Sequence, residues 1–434
     1  MGAVMQRHPD HDWIEPLSAL AALRDETMLL CFYSAFREAH TGRYSFLCWQ
    51  PTREVSGTDF ECLRPHLSNN SEWYENAWFG WLGYGLRHGT ESLPRGASEA
   101  IAHPPLTMMQ FAHIVRFDHI EKSVEYYYHT TPDLRWQTSL PKLSPSPSAS
   151  VLTLTSNMTT PEYLAIVAAT REQILAGNFY QANITRKYHG TLSASPSAVE
   201  LFLLLTTLSP APYSALIKRG GDILLSSSPE CFISVAENGI ITARPIKGSA
   251  AVSPDEITDE SVRAALMNSE KDHAENRMIV DLMRNDLARC SNAGSVHVPQ
   301  QAILHSYATI HHLIATIQAQ KSPELNALDV IERCFPAGSM TGAPKIAAMH
   351  WCAEQEREER GIYSGAIGWF SGSGACDFSV VIRTLLLRER EFEFQVGGGI
   401  VADSDPHEEW RETLTKARAL CNLLGITEDT LRAL

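Results

Sequence analysis

No apolar stretch in this 434-residue chain approaches the ~20 residues a helix needs to cross a bilayer, so a helical membrane span is not expected. Positive charge is scarce: 36 Lys and Arg against 50 Asp and Glu give a formal charge of −14, and no basic stripe offsets it. A general nucleic-acid binder is therefore not expected either. The nine cysteines are scattered, odd in number and never spaced as CxxC, and no His/Cys spacing suggests zinc. They read as reduced core thiols. The first sixteen residues are polar, with His8, Asp10, His11 and Asp12, unlike the basic-then-apolar pattern of an export signal. A cytoplasmic protein is expected. The remaining composition, 44% hydrophobic and 20% charged, is that of a globular chain long enough for two domains or one large two-layer domain.

Short apolar runs mixed with aromatics and glycines fill the first third, including Trp78 to Gly85, where glycine would let another backbone approach. Residues 141–160 are rich in Ser, Pro and Thr and mark the best linker, placing domains at 1–150 and 151–434. Thr160 and Pro161 then read as the cap and first position of a helix with Tyr163, Ile166, Val167 and Ile174 on one face. An extended piece at 180–184 and helices at 198–209, 259–290 and 327–335 follow. The loop 336–344 leads into a helix near Lys345, strands are expected at 365–370, 378–387 and 392–396, and a last helix at 408–424. Gly397 to Gly399 would close the last strand.

Six features could carry chemistry. Ser228-Pro229-Glu230 and Arg244-Pro245-Ile246-Lys247-Gly248-Ser249 flank a predicted hairpin turning at Glu237-Asn238-Gly239, which puts Glu230 and Lys247 at one end. Alone, that pair reads as an exposed ion pair. Glu409 and Glu412 share a helix face with Lys416, either as a solvated charged surface or, with Glu275 from another helix, as hard oxygen ligands for Mg²⁺. The loop 336–344, with Ser339 and Thr341, could cradle an anion or simply connect; it lacks the GxxxxGK[ST] order. Gly398 and Gly399 offer a bare backbone surface or a plain turn. Arg383 in an apolar strand needs a carboxylate, and His311-His312, read as adjacent on a helix, could supply an acid or base.

Taken together, these blocks resemble the chorismate-utilising enzymes. The resemblance runs through Ser228 to Glu230, Arg244 to Gly248, Lys271 to Asp286, Phe335 to Lys345, Tyr363 to Trp369, Val381 to Thr384 and Gly397 to Asp405, followed by Glu409 and Glu412. It is strong over 160–424 and looser before. It implies an α+β fold: a two-layer β-sandwich of largely antiparallel sheets surrounded by helices, with the active site between the sheets. Pro-Ile-Lys-Gly around Lys247 resembles the branch that forms 4-amino-4-deoxychorismate, whereas the anthranilate-forming branch typically has alanine there. Gln181 stands where the isochorismate- and salicylate-forming branches usually place a lysine, and Ser249 where the family often has threonine.

The resemblance implies roles. Glu230 is the general acid for loss of the C4 hydroxyl of chorismate, and Lys247 the nucleophile. Glu275, Glu409 and Glu412 hold Mg²⁺, while Gln181, Arg244, Gly248, Ser249, His312, Ser339, Thr341, Tyr363, Arg383, Gly398, Gly399 and Lys416 contact substrate. No Gly-x-Cys-x-Gly nucleophile turn is present, so ammonia is expected from a separate glutamine amidotransferase subunit. Relatives carry a tryptophan pocket, matched here by Ser34, Arg43, Tyr44, Ser45, Pro212, Tyr213 and Ser214.

Overall fold

Strands with apolar residues on both faces dominate the fold, because helices cover the sheet outside and the sheet covers itself inside. Leu385 and Leu387 pack under the helices Ala198–Leu208 and Pro406–Leu424, while Leu386 between them points inward to a cluster holding Ile217, Trp81 and Ile367. The computed structural model describes residues 5–9, 11–36, 42–68, 71–97, 101–138, 149–307 and 310–434.

Among the described residues the strands form one hydrogen-bonded ladder. Its first arm runs Gln181–Leu192, Glu391–Ile400, Thr384–Arg388, Asp222–Ser228, Tyr213–Arg219, Met28–Tyr33, Tyr44–Gly57 and Leu106–Asp118, each antiparallel to the next. From Leu106–Asp118 it continues into a second antiparallel arm: Trp78–Leu82, Ala366–Phe370, Cys376–Val380, Cys231–Val235, Ile240–Arg244 and Ile310–Gln320. Ile246–Ala251 and His297–Ser306 flank that last strand. The arms fold over each other, for a Cβ added at Gly399 on the first would stand 2.7 Å from the Lys247 Nζ on the second. The α+β, antiparallel, helix-covered architecture expected from the sequence is present, with its two layers being arms of a single ladder. Strands from either side of residue 150 pair directly, Met28–Tyr33 with Tyr213–Arg219 and Trp78–Leu82 with Ala366–Phe370.

Several local expectations are corrected. Thr159, not Thr160, caps the helix Thr160–Leu175 through a reciprocal box with Glu162. Within the expected linker, Val151–Ser156 is a strand on Gln181–Leu192, and residues 141–148 lie outside the described residues. The helical pattern at 259–290 is two helices, Glu256–Met267 and Glu270–Ala288, because Ser269 caps the second by accepting from the Asp272 N–H. The strand expected at 378–387 breaks at Arg383, whose φ of 50° lies in the left-handed region. His311 and His312 sit on a strand, facing opposite sides, instead of a helix. Gly397 to Gly399 lie inside a strand that continues to Ile400.

Arg360 ties the arms together. It is 1% exposed and donates to both carboxylate oxygens of Glu356 at 2.7 Å, to the Asn183 and Met340 carbonyls at 2.7 Å and to Ser364 Oγ at 3.2 Å. Glu356 in turn accepts from the Thr185 N–H and hydroxyl, so no charge in the network is left uncompensated. Replacing Arg360 by Met strands the Glu356 carboxylate; the expected loss is about 3–5 kcal/mol, read as a lower urea midpoint at unchanged slope.

Candidate active site

The predicted hairpin exists: Cys231–Val235 pairs with Ile240–Arg244, closed by Gly239 at φ 81°. It brings Cys231 opposite Arg244, so Glu230 and Lys247, just beyond each strand, come to one end. Glu230 is buried and accepts a 2.7 Å hydrogen bond from Ser339 Oγ. Burial raises its pKa to about 7, against the opposing pull of Ser339, Lys247, the Ile246 N–H and Lys416. Near neutrality this carboxyl can hold a proton and give it up.

Ser339 reaches Glu230 because its loop is fastened from beneath. Lys345 Nζ donates to Asp286 Oδ2 at 2.6 Å and to the Cys334 and Pro336 carbonyls at 2.8 and 2.9 Å. Thr341 spends its hydroxyl on the Ala337 and Gly338 carbonyls, and its own carbonyl accepts from Asn183 N. The loop is thus a scaffold for Ser339.

Lys247 Nζ lies 3.7 Å from Glu275 Oε2, and Lys271 is 4.0 Å from the other oxygen. Opposite, the strand Glu391–Ile400 presents Gly399, where a Cβ would meet Lys247 Nζ at 2.7 Å and Gln181 Nε2 at 3.0 Å. Glycine is what lets the amine and the amide share that space. Gln181 is fully buried with neither amide atom hydrogen-bonded, and His312 likewise has two unpartnered ring nitrogens. Burial and the neighbouring Arg383 bring the His312 pKa down to about 3, so it is a neutral imidazole. Arg383 is drawn below its usual pKa by burial and held up by the Glu230 charge. Tyr363 is buried, and desolvation raises its phenol pKa. Gly248 has φ 82° beside Asp272, while Ser249 is exposed opposite His312. Arg244 faces Asp377 and Tyr213.

The last helix brings Glu409, Glu412 and Lys416 to the same region. Glu409 is buried, accepts from Ser404 Oγ at 2.6 Å and has its pKa raised by burial and by the Glu412 charge. Glu412 pairs with Lys416 Nζ at 2.7 Å, which also donates to the Gly397 carbonyl at 2.8 Å. Lys416 lowers the Glu412 pKa, helped by Lys247 and Lys271, the two cations that also flank Glu275. Among the described residues no three His, Cys, Asp or Glu side chains are gathered as a metal cluster. The donors nonetheless suit a hard divalent cation: they are all carboxylates, and two of them repel each other.

Three polar side chains here were not singled out in the sequence. Tyr163 Oη, Asn183 Nδ2 and both amide atoms of Asn276 are buried without hydrogen-bond partners. Asn183 was findable, being two residues beyond Gln181 on one strand and hence on its face. Tyr163 read only as part of an apolar stripe.

A second cavity of about 770 Å³ lies among Arg43, Tyr44, Trp73, Tyr213, Trp369 and Asp377, with Pro212 and Ser214 also on its wall. Ser34 and Ser45 are not on that wall: the Ser34 N–H donates to Ser45 Oγ at 3.1 Å and Ser45 Oγ bonds His119 at 2.7 Å. Arg43 is tied to Asp118 at 2.7 Å. Asp377 is raised to about 7 by burial and leaves one carboxyl oxygen unpartnered.

Comparison with known proteins agrees with this geometry. The family model described as chorismate binding enzyme matches residues 28–422. Aminodeoxychorismate synthase component 1 of Escherichia coli K12 is 37% identical over 81% of this chain and 77% of its own length. Anthranilate synthase component 1 of Streptomyces coelicolor is 31% identical over 94% and 86%. Among solved structures, anthranilate synthase component I from Streptococcus pneumoniae superposes with a TM-score of 0.75 at 26% identity, covering 88% of this chain and 93% of that one. With most of its length matched and its glycine-backed Glu230–Lys247 cleft in place, this chain belongs to the chorismate binding enzyme family.

Proposed function

We infer that this protein converts chorismate and ammonia to 4-amino-4-deoxychorismate, the activity of an aminodeoxychorismate synthase component 1, on the way to 4-aminobenzoate and folate. The observation that carries the reading is a lysine amine held close against Gly399 of the opposite arm, at the same hairpin end as a buried carboxyl that feels its charge and whose pKa is raised to about 7. The relatives bearing that name support it at 35–37% identity over 81–88% of the chain.

Hydroxide leaves poorly, so the Glu230 proton goes to the C4 oxygen of chorismate, which departs as water. The Lys247 amine adds at C2 as the two ring double bonds move from C1=C2 and C5=C6 to C1=C6 and C4=C5; ammonia then adds at C4, both double bonds return and the lysine amine leaves from C2. Ser339 orients the Glu230 carboxyl through its 2.7 Å hydrogen bond. Arg383 and Tyr363, with the Gly398 and Gly399 amides, hold the enolpyruvyl carboxylate; Gln181, Gly248, Ser249, His312, Thr341 and Lys416 complete the substrate's surroundings, while Arg244 faces Asp377 and Tyr213. Mg²⁺ on Glu275, Glu409 and Glu412 would supply positive charge to the ring carboxylate beside the attacked carbon. Ammonia comes from a separate glutamine amidotransferase subunit, in keeping with the relatives' designation as component 1. Residues 151–434 carry this chemistry as the catalytic domain, and residues 1–150 supply part of the wall of the second cavity, which takes tryptophan.

Incubated with chorismate, Mg²⁺ and ammonium, the protein is expected to form aminodeoxychorismate without pyruvate; anthranilate with pyruvate would overturn the assignment. Intact-mass analysis should detect a chorismate-derived adduct that is absent from Lys247→Ala, and chelation with EDTA should abolish turnover.

Glu230→Gln should lower kcat by about 10²–10⁴-fold. Because a raised pKa keeps Glu230 protonated below about 7, kcat/KM should fall as pH rises through that value. A Glu230-dependent fall at acid pH instead would remove it as the proton donor.

Tryptophan should bind once per chain in equilibrium dialysis. Asp377→Asn should weaken it about tenfold or more by removing a charged partner for the ammonium.

A further inference from the structure

Tyr163, near the start of the helix Thr160–Leu175, is fully buried and its hydroxyl has no hydrogen-bond partner. A phenol hydroxyl left so is costly unless something accepts from it. It faces the space over the Gly398 Cα: where a side chain's first carbon would stand there, Tyr163 Oη is 3.8 Å away and Glu409 Oε2 is 2.9 Å away. These are the two heavy atoms from outside the local chain that bound that space within 4 Å. The other Glu409 oxygen is fixed by Ser404 Oγ at 2.6 Å, so Oε2 is the free end of the carboxylate. Behind the phenol, the buried Arg186 guanidinium stands 5.9 Å from the Tyr163 ring; burial and the Glu409 and Glu412 charges push the phenol pKa well up against the pull of Arg186, so the group stays a neutral hydroxyl with a proton to donate.

We propose that Tyr163 is a positioning residue for Glu409, its hydroxyl donating to a water held over Gly398 that in turn donates to Glu409 Oε2. The chemistry of the gap selects water, since the bridging oxygen must accept from a phenol and donate to a carboxylate. Ser404 and Tyr163 then hold the two oxygens of one carboxylate from opposite sides, and the bare backbone of Gly398 is the floor on which the bridge rests. A side chain at position 398 would displace it. The proposal rests on the reading of Glu409 as a Mg²⁺ ligand, and the test separates the two.

Tyr188 supplies a matched control. It too is fully buried with an unpartnered hydroxyl, and lies 4.9 Å from the same Arg186, but it stacks on Phe394 instead of facing Gly398. The experiment measures Mn²⁺ binding to the full chain by electron paramagnetic resonance without chorismate, together with kcat, KM and melting temperature, for Tyr163→Phe, Tyr188→Phe and Glu409→Gln. Tyr163→Phe should weaken Mn²⁺ binding about tenfold or more, as loss of a group orienting a metal ligand does, with its melting temperature no lower than that of Tyr188→Phe. Tyr188→Phe should bind Mn²⁺ as the parent does. If Glu409→Gln weakens Mn²⁺ binding and Tyr163→Phe does not, the proposal fails and the ligand reading stands. If Glu409→Gln leaves binding unchanged, the ligand reading fails and the proposal with it. Equal weakening in both tyrosine variants would assign the effect to packing and overturn the proposal.

Discussion

The charge of Arg360 is the point on which the rest of the architecture depends. A guanidinium without water must satisfy its donors inside the protein, and here they are distributed over Asn183 of the first arm, Met340 of the loop carrying Ser339, Ser364 ahead of a second-arm strand, and Glu356. Asn183 and Met340 come from distant stretches of the chain, whereas Glu356 and Ser364 lie four residues to either side of Arg360. One buried cation thereby fixes the distance between the strand bearing Gln181 and the loop that orients Glu230.

That fixed distance has an energetic counterpart inside the cleft. Gln181, His312, Asn276 and Tyr163 are buried with hydrogen-bonding atoms unsatisfied, while Glu409 and Glu412 stand close enough to raise the pKa of the former. Buried groups left so lower the stability of the fold. The frame around them tolerates this because Arg360–Glu356 and Lys345–Asp286 leave no comparable deficit.

Motif order made the site legible before the fold was. Ser228 to Glu230 and Arg244 to Ser249 around an Asn-Gly turn suffice to predict a hairpin with Glu230 and Lys247 at one end, because that geometry is local. Helix termini were legible to within a residue or two where the periodicity was clean, as at 198–208. What failed was non-local or set by a single side chain. Ser269 ends one helix and starts another inside a continuous apolar pattern, Arg383 breaks an otherwise largely apolar strand, and His311-His312 acquires its extended form from pairing with Ile246–Ala251 far back in the chain as well as with the adjacent His297–Ser306. Tyr163 was invisible for a different reason: an aromatic on a helix stripe is indistinguishable from core until the glycine opposite it is located in space.

The ladder's closure also governs how the chain acquires its structure. Trp78–Leu82 finds its partner in Ala366–Phe370, and Gln181–Leu192 finds its own in Glu391–Ile400, so strands made early wait for strands made late. Contacts so far apart in sequence are slow to form, and until they do the apolar faces and unpaired edges of the early strands stay open. Before those partners are made the N-terminal third is a half-sheet, with Met28–Tyr33 open along one edge and Trp78–Leu82 along the other.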